Sequence, residues 1–361
     1  MDIQHNLLTQ LREVIRSGRN TAIQQVNELA VITNFEIGRR IVEFEQKGQQ
    51  RAEYGKQTLI EISEALTDEF GRGYSVDNLQ LMRTFYLVYQ DRSILTNKDE
   101  NYETPSRKLK RDRKSETLSR IFHKTEDYGF KLSWSHYVEL IKMDEKERGF
   151  YEIECFANNW SVRELRRQYN SSLYERVALS KNKEEVKALS KKGQMIQKPS
   201  DMLKQPYILD FLGLKEEPAY TESQLEQAII DKIENFLLEL GKGFLFEARQ
   251  KRISFEGDDY YIDLVFYNRL LRCYVLFDLK IGKLTHKDIG QMQMYVNYFD
   301  RAIKIPEEKP TVGIILCKQN NKTVVEFTLS KGQEQIYARE YKLYLPEKEE
   351  LKKQLDINTE E

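Results

Sequence analysis

From Asn6 to Val14, and again from Thr21 to Glu45, apolar residues recur at three- and four-residue steps with no proline. That spacing predicts helix. The pattern returns from Thr58 to Phe70 and stops at Gly71 and Gly73, a helix-ending signal. Ser75 is then placed to cap a helix running to about Tyr89. Between Asp91 and Glu116 the chain turns polar and carries Pro105, which predicts a loop. Helical spacing resumes at Trp134 and lasts to about Leu173. A Lys- and Glu-rich stretch from Lys181 to Lys198 contains Gly193 and stops at Pro199, and reads as a domain boundary.

Beyond that boundary the period changes. Thr221 to Leu240 is amphipathic and ends at Gly241 and Gly243. Strand-like runs follow at Phe244–Phe255, Tyr260–Tyr267 and Arg272–Lys280, with Glu256-Gly257-Asp258-Asp259 as a hairpin turn between the first two. Thr285–Phe299 reads as helix, and Thr311–Cys317, Thr323–Leu329 and Ile336–Leu345 as strands. Helix, three strands, helix, strand predicts an α/β layer with a mixed central sheet. The chain as a whole reads as an α+β two-domain protein. Residues 1–180 form an all-α unit, 181–204 a linker and 205–361 an α/β domain.

The length of 361 residues agrees with two domains, and 40% hydrophobic residues suffice for a core in each. The 57 Lys+Arg nearly balance the 58 Asp+Glu, which excludes a wholly basic histone-like protein but allows a local basic patch. Cys155, Cys273 and Cys317 lie far apart, and the four histidines form no H-x-x-x-H pair, so neither a disulfide framework nor a structural zinc site is expected. No apolar run approaches the ~18–20 residues of a membrane span. The segment MDIQHNLLTQ lacks the apolar core of a secretory signal. A reduced, soluble, cytoplasmic protein without membrane contact is expected.

Two features suit nucleic acid. Six of the eight residues Arg107 to Lys114 are basic, among them Arg107, Lys108, Lys110 and Arg111. Such a run is either a solvated loop or a loop that tracks phosphates. Tyr74-Ser75-Val76 opens a helix bearing Arg83, and Trp160-Ser161-Val162 opens another bearing Arg163, Arg166 and Arg167. A capped N-terminus followed by arginines suits phosphate and groove contact. The plain alternative is two ordinary capped helices whose aromatics staple into a core.

The strand Tyr260–Tyr267 is apolar or aromatic on both faces except at Asp263. A carboxylate there is costly unless it is paired or binds a cation. The next strand carries Asp278 and Lys280 on one face, with Leu279 on the other. In the preceding helix Glu226 projects within roughly 20° of the apolar stripe's centre, and Glu234 about 100° away. Gln291 and Tyr295, four apart, share a face of the following helix. Clustered carboxylates with a lysine suit Mg²⁺-assisted phosphodiester hydrolysis. A buried salt bridge of Asp263 or Asp278 with Lys280 is the structural alternative.

Asp263, followed fifteen positions later by Asp278-Leu279-Lys280, resembles the PD-(D/E)XK nuclease motif. Gln291-Met-Gln-Met-Tyr295 resembles the Q-x-x-x-Y element of its RecB-like branch. The run from GKGFLFEARQ through YYIDLVFYN and CYVLFDLK to PTVGIILC is similar to the YhcG family of bacterial PD-(D/E)XK nucleases. GRGYSVDNLQLMRTFY, LSWSHYVELIKM and NNWSVRELRRQY resemble that family's helical, helix-turn-helix-type region. The resemblance implies a restriction-endonuclease-like core and a metal-dependent nuclease of DNA in restriction, defence, recombination or repair. Mg²⁺ is the implied ion with Mn²⁺ as substitute, RNA stays open as substrate, and two cuts on a duplex suit a homodimer. By position, Asp263 and Asp278 match the metal-binding acids and Lys280 the motif lysine. Gln291 and Tyr295 match the pair that supports substrate contact. Glu226, with Glu234 as the alternative, is the candidate for the first-helix acid. Ile262 stands where the motif has proline; only the acid is chemically required. A binding or assembly protein that keeps the fold without catalysis is the competing reading, and the intact Asp-Asp-x-Lys set speaks against it.

Overall fold

The computed structural model describes residues 2–47, 52–98, 129–214, 220–255, 257–330 and 332–360. They form two compact units, Met1–Arg166 and Arg167–Glu361.

The described part of the first unit is helical. Helix α1 (Asp2–Lys47) runs through Gly18 unbroken, where the spacing suggested two segments. An isolated glycine lowers helix propensity by about 1 kcal/mol but does not end a helix. Its buried face (Val31, Ile32, Phe35, Ile41) meets α3 (Val76–Lys98). The two approach so closely at Gly38 that a Cβ there would collide with the Met82 carbonyl. Helix α2 (Ala52–Phe70) stops at Gly71, whose φ of 90° L-residues avoid.

Helix α3 continues to Lys98, past the end expected near Tyr89. Tyr89 instead marks an internal kink, with φ −115° and ψ 15°. The basic run 107–114, and with it Arg107, Lys108, Lys110 and Arg111, lies outside the described residues. The helical pattern expected over 134–173 is three helices, α4 (Trp134–Leu140), α5 (Glu145–Asn158) and α6 (Val162–Asn170), the last opening after Ser161 as expected. Left-handed Asn159 ends α5 and left-handed Ser172 follows α6.

The second unit begins within α6 and continues through α7 (Leu173–Ala178) and α8 (Lys183–Lys192). The stretch 181–204, expected as a linker, is therefore structured. Asn182 caps α8, and Met202 and Leu203 join the core. A six-stranded sheet follows in the order β1-β6-β5-β4-β3-β2. Strands β2 (Phe244–Phe255), β3 (Asp258–Asn268) and β4 (Cys273–Lys283) form an antiparallel meander. Strands β5 (Val312–Gln319), β6 (Ile336–Lys342) and the short β1 (Tyr207–Ile208) extend it in parallel. The sheet is mixed, as the element order predicted.

Helices α9 (Glu222–Asp231) and α10 (Ile233–Leu240) cover one face, packing Leu225, Ile229 and Phe236 against Leu264, Phe266, Phe277 and Ile314. Helix α11 (His286–Tyr298) covers the other with Ile289, Met292 and Val296 against Val265, Leu276 and Ile315. α9 and α10 replace the single helix expected over 221–240. The chain leaves helical geometry at Lys232 (φ −125°, ψ 37°). Residues 322–328 form α12 (Lys322–Thr328), not the expected strand. Val324 and Val325 suggested β structure, but Asn321 accepts the Val324 N–H and caps a helix. Helix α13 (Lys348–Glu360) completes the described chain.

Candidate active site

β3 and β4 pair from Asn268↔Cys273 to Leu264↔Phe277, and the ladder stops there. The next residues outward on the two strands are Asp263 and Asp278. Where the strands part, backbone donors lose their partners, and Asp263 Oδ2 accepts the Leu279 N–H at 2.8 Å. Asp278 is 2% exposed. Its Oδ2 is buried without a hydrogen-bond donor of good geometry, though Lys280 Nζ stands 2.8 Å away. Lys280 also faces Glu222 at 3.6 Å.

Helix α9 presents Glu226 to the same place. Glu226 is buried, whereas Glu234 is exposed on α10. Gln250 of β2 donates through Nε2 to Glu226 Oε2 and to Asp263 Oδ1, the latter at 3.2 Å. Arg249 Nε lies 3.2 Å from Glu226 Oε1. From α11, Gln291 donates to the Tyr295 hydroxyl, which donates to the Tyr261 carbonyl at 2.8 Å. Tyr295 is fully buried and ties α11 to β3 two residues before Asp263. The more accessible Gln291 is the member of the pair nearer solvent.

Burial dominates the electrostatics. It pushes the Asp278 carboxyl up to about 7 despite the attraction of Lys280, and the charge of Asp263 adds to the rise. Asp263 is raised by burial too, although the Leu279 N–H favours its ionised form. Glu226 is raised by burial, reinforced by Asp263 and opposed by Gln250. Burial disfavours the charge on Lys280, but Asp278 more than offsets this and holds it above the usual lysine range.

Glu239 in the same unit behaves differently. Burial would raise it, yet Arg176 and Lys204 bring it below the usual carboxylate range, and it accepts the Ile208 N–H at 2.9 Å. Glu239 is a satisfied structural acid. Asp278 and Glu226 are both shifted upward, chiefly by burial.

Gln250 links Asp263 to Glu226 and Lys280 faces Asp278 where β3 and β4 part, with Gln291 and Tyr295 on the flanking helix. The helical-unit arginines are a separate set. Ser75 Oγ accepts the Asn78 N–H at 3.3 Å and Ser161 Oγ the Glu164 N–H at 3.2 Å, so both expected caps form. Arg83 pairs with Glu45 at 2.7 Å and Arg166 with Glu139 at 2.6 Å. Arg163, Arg166 and Arg167 are exposed on α6.

Residues that the sequence reading missed are Arg249, Gln250 and Glu222. The hairpin turn alone would have pointed to Gln250. Pairing Phe255 with Asp258 across that turn carries Gln250 opposite Asp263.

The mixed sheet, with two acids and a lysine where β3 and β4 diverge, defines a PD-(D/E)XK-type nuclease core. The model of the YhcG PDDEXK nuclease domain matches residues 200–356, and that of the DUF1016 N-terminal domain residues 10–176. The chain is 36% identical over 349 residues to YhcG of Escherichia coli (strain K12), named provisionally as a nuclease. That match covers 95% of this chain and 91% of the relative. The chain belongs to the YhcG family of PD-(D/E)XK nucleases. A crystal structure of a repair endonuclease from Pyrococcus abyssi matches 35% of this chain and 49% of its own at 20% identity, with a TM-score of 0.24. Among the described residues no helix is long and apolar enough to cross a membrane.

Proposed function

We propose that the protein hydrolyses phosphodiester bonds of DNA with a divalent cation, Mg²⁺ or in its place Mn²⁺. Among the described residues no group of three or more His, Cys, Asp or Glu side chains is arranged ready to hold a metal. The donor chemistry nevertheless fits. Buried Asp278 Oδ2 and Glu226 Oε1 face Lys280 and Arg249 without a hydrogen bond of good geometry, and hard carboxylate oxygens are what Mg²⁺ prefers. Asp263 and Asp278 would hold the ion, with Glu226 beside them. A bound divalent cation supplies polarisation of the scissile phosphate and a water acidic enough to become the nucleophile.

The chain's own groups do the rest. Lys280 brings a positive charge to the site, where it offsets charge building on phosphate. Gln291 offers a polar contact from α11, and Tyr295 fixes the strand that carries Asp263. The observation that carries this reading is the contrast between Asp278 and Glu239. Glu239 is met by Arg176, Lys204 and the Ile208 N–H, whereas buried Asp278 faces Lys280 and the like charge of Asp263.

The helical unit is read as the DNA-binding module. The arginines of α6, Arg83 and the basic run 107–114 supply its phosphate contacts, with RNA as the alternative target. A cytoplasmic homodimer with two active sites completes the proposal. The test is incubation of the purified protein with plasmid, linear, branched and single-stranded DNA and with RNA, in Mg²⁺, Mn²⁺ or EDTA. Cleavage of DNA that EDTA abolishes is expected, and no cleavage of any of these with either metal contradicts it.

A further inference from the structure

Gln250 is an exposed residue of an edge strand, yet its backbone is left-handed, with φ 46°. For an L-residue other than asparagine or aspartate this conformation is uncommon and strained. Packing does not account for it, since the residue is not buried. Its neighbours Arg249↔Leu264 and Lys251↔Ile262 keep their register on both sides, so no residue has been inserted there.

The side chains explain what the conformation accomplishes. In a regular strand, neighbours point to opposite faces. Here Arg249 and Gln250, adjacent in sequence, both reach Glu226, one at each carboxylate oxygen. Gln250 also reaches Asp263 on the facing strand. One amide thus joins an acid of α9 to an acid of β3. Backbone strain of this kind persists where surrounding interactions hold it, and it clusters at functional sites.

We propose that Gln250 is a positioning residue of the nuclease site: its amide holds Glu226 and Asp263 together as one ligand set for the divalent cation. This rests on the metal-dependent reading given above. The role is indirect and acts through the two carboxylates. It also selects Glu226, rather than the exposed Glu222 one turn away, as the helix acid of the set.

The test uses the full-length, metal-stripped protein with Mn²⁺ as probe, its affinity measured by calorimetry and by the electron spin resonance of free Mn²⁺. Gln250→Gly keeps the left-handed backbone available and removes the side chain with its amide. Its circular dichroism in EDTA should remain that of the native fold, while its Mn²⁺ dissociation constant rises about 10–100-fold, the usual effect of losing a group that orients metal ligands. Gln250→Asn also tolerates a left-handed backbone. Its amide is one methylene short of Glu226, and its affinity should fall between the two. Glu226→Gln alone should weaken binding, and combined with Gln250→Gly the losses should be far less than additive, because both act on one ligand set.

Native Mn²⁺ affinity in Gln250→Gly, alongside a large loss in Asp263→Asn, overturns the positioning role and leaves the nuclease reading standing. Fully additive losses in the double variant overturn it as well. Native protein that binds no Mn²⁺ defeats the metal-dependent reading itself, and the positioning role with it.

Discussion

Two buried acids of the second unit, Glu239 and Asp278, each face a lysine and differ in what else reaches them. Glu239 also meets Arg176 and a backbone N–H. Asp278 has Lys280 and the repulsion of Asp263. Removing a partner from the first set should therefore be costly. Arg176→Ala strands a buried carboxylate and is expected to lower stability by about 3–5 kcal/mol in urea unfolding. Asp278→Asn without metal should be neutral or stabilising, because it relieves clustered charge.

The same contrast sets a pH dependence. The folded pKa of Asp278, about 7, lies above its unfolded value of about 3.9. Its contribution to stability is thus complete below about pH 4 and is lost as pH rises through 7. The melting temperature of Asp278→Asn minus that of the native protein, both in EDTA, should be larger at pH 8 than at pH 5. A difference that does not change with pH would contradict the raised pKa. Asp263, Asp278 and Lys280 were legible in the sequence because charge inside an apolar strand is anomalous on its face. Gln250 was missed, since a glutamine on a polar edge strand looks like any exposed residue; the hairpin register carries it opposite Asp263, and its φ of 46° shows only in the structure.

At the level of elements, sequence pattern served where one face is buried. The strands Phe244–Phe255 and Tyr260–Tyr267 and the caps Ser75 and Ser161 emerged close to where they were expected. It failed where tertiary contacts decide. The break at Lys232 follows no proline or glycine, and the Lys232 ammonium reaches across to the Phe211 carbonyl. α12 has Phe327 84% exposed, so its apolar run was no sign of a buried strand.

The bond from Tyr295 to the Tyr261 carbonyl yields an element-scale prediction. Tyr295→Phe leaves that carbonyl without its donor and should cost about 1–3 kcal/mol of stability. A loss of activity without a loss of stability would show instead that the hydroxyl touches substrate. Helix α6 yields another. Arg163→Ala with Arg167→Ala should weaken duplex binding about equally for all sequences and flatten its salt dependence, since phosphate contacts release counterions. Unchanged affinity and slope in a binding titration would remove α6 from the interface.

At the scale of the molecule, a helical unit and a mixed-sheet unit are joined in one chain, and family models match both. Near-zero net charge concealed any basic surface, so composition alone pointed to no partner. The central claim is that Asp278 serves hydrolysis rather than folding. The most direct measurement compares native protein with Asp278→Asn on duplex DNA in Mg²⁺, with folding checked by circular dichroism and DNA binding by titration. The expected result is cleavage by the native protein that EDTA abolishes, at least a 100-fold slower rate in a well-folded variant (about 2.7 kcal/mol on the barrier), and undiminished binding. Cleavage by Asp278→Asn at the native Mg²⁺-dependent rate would contradict the account.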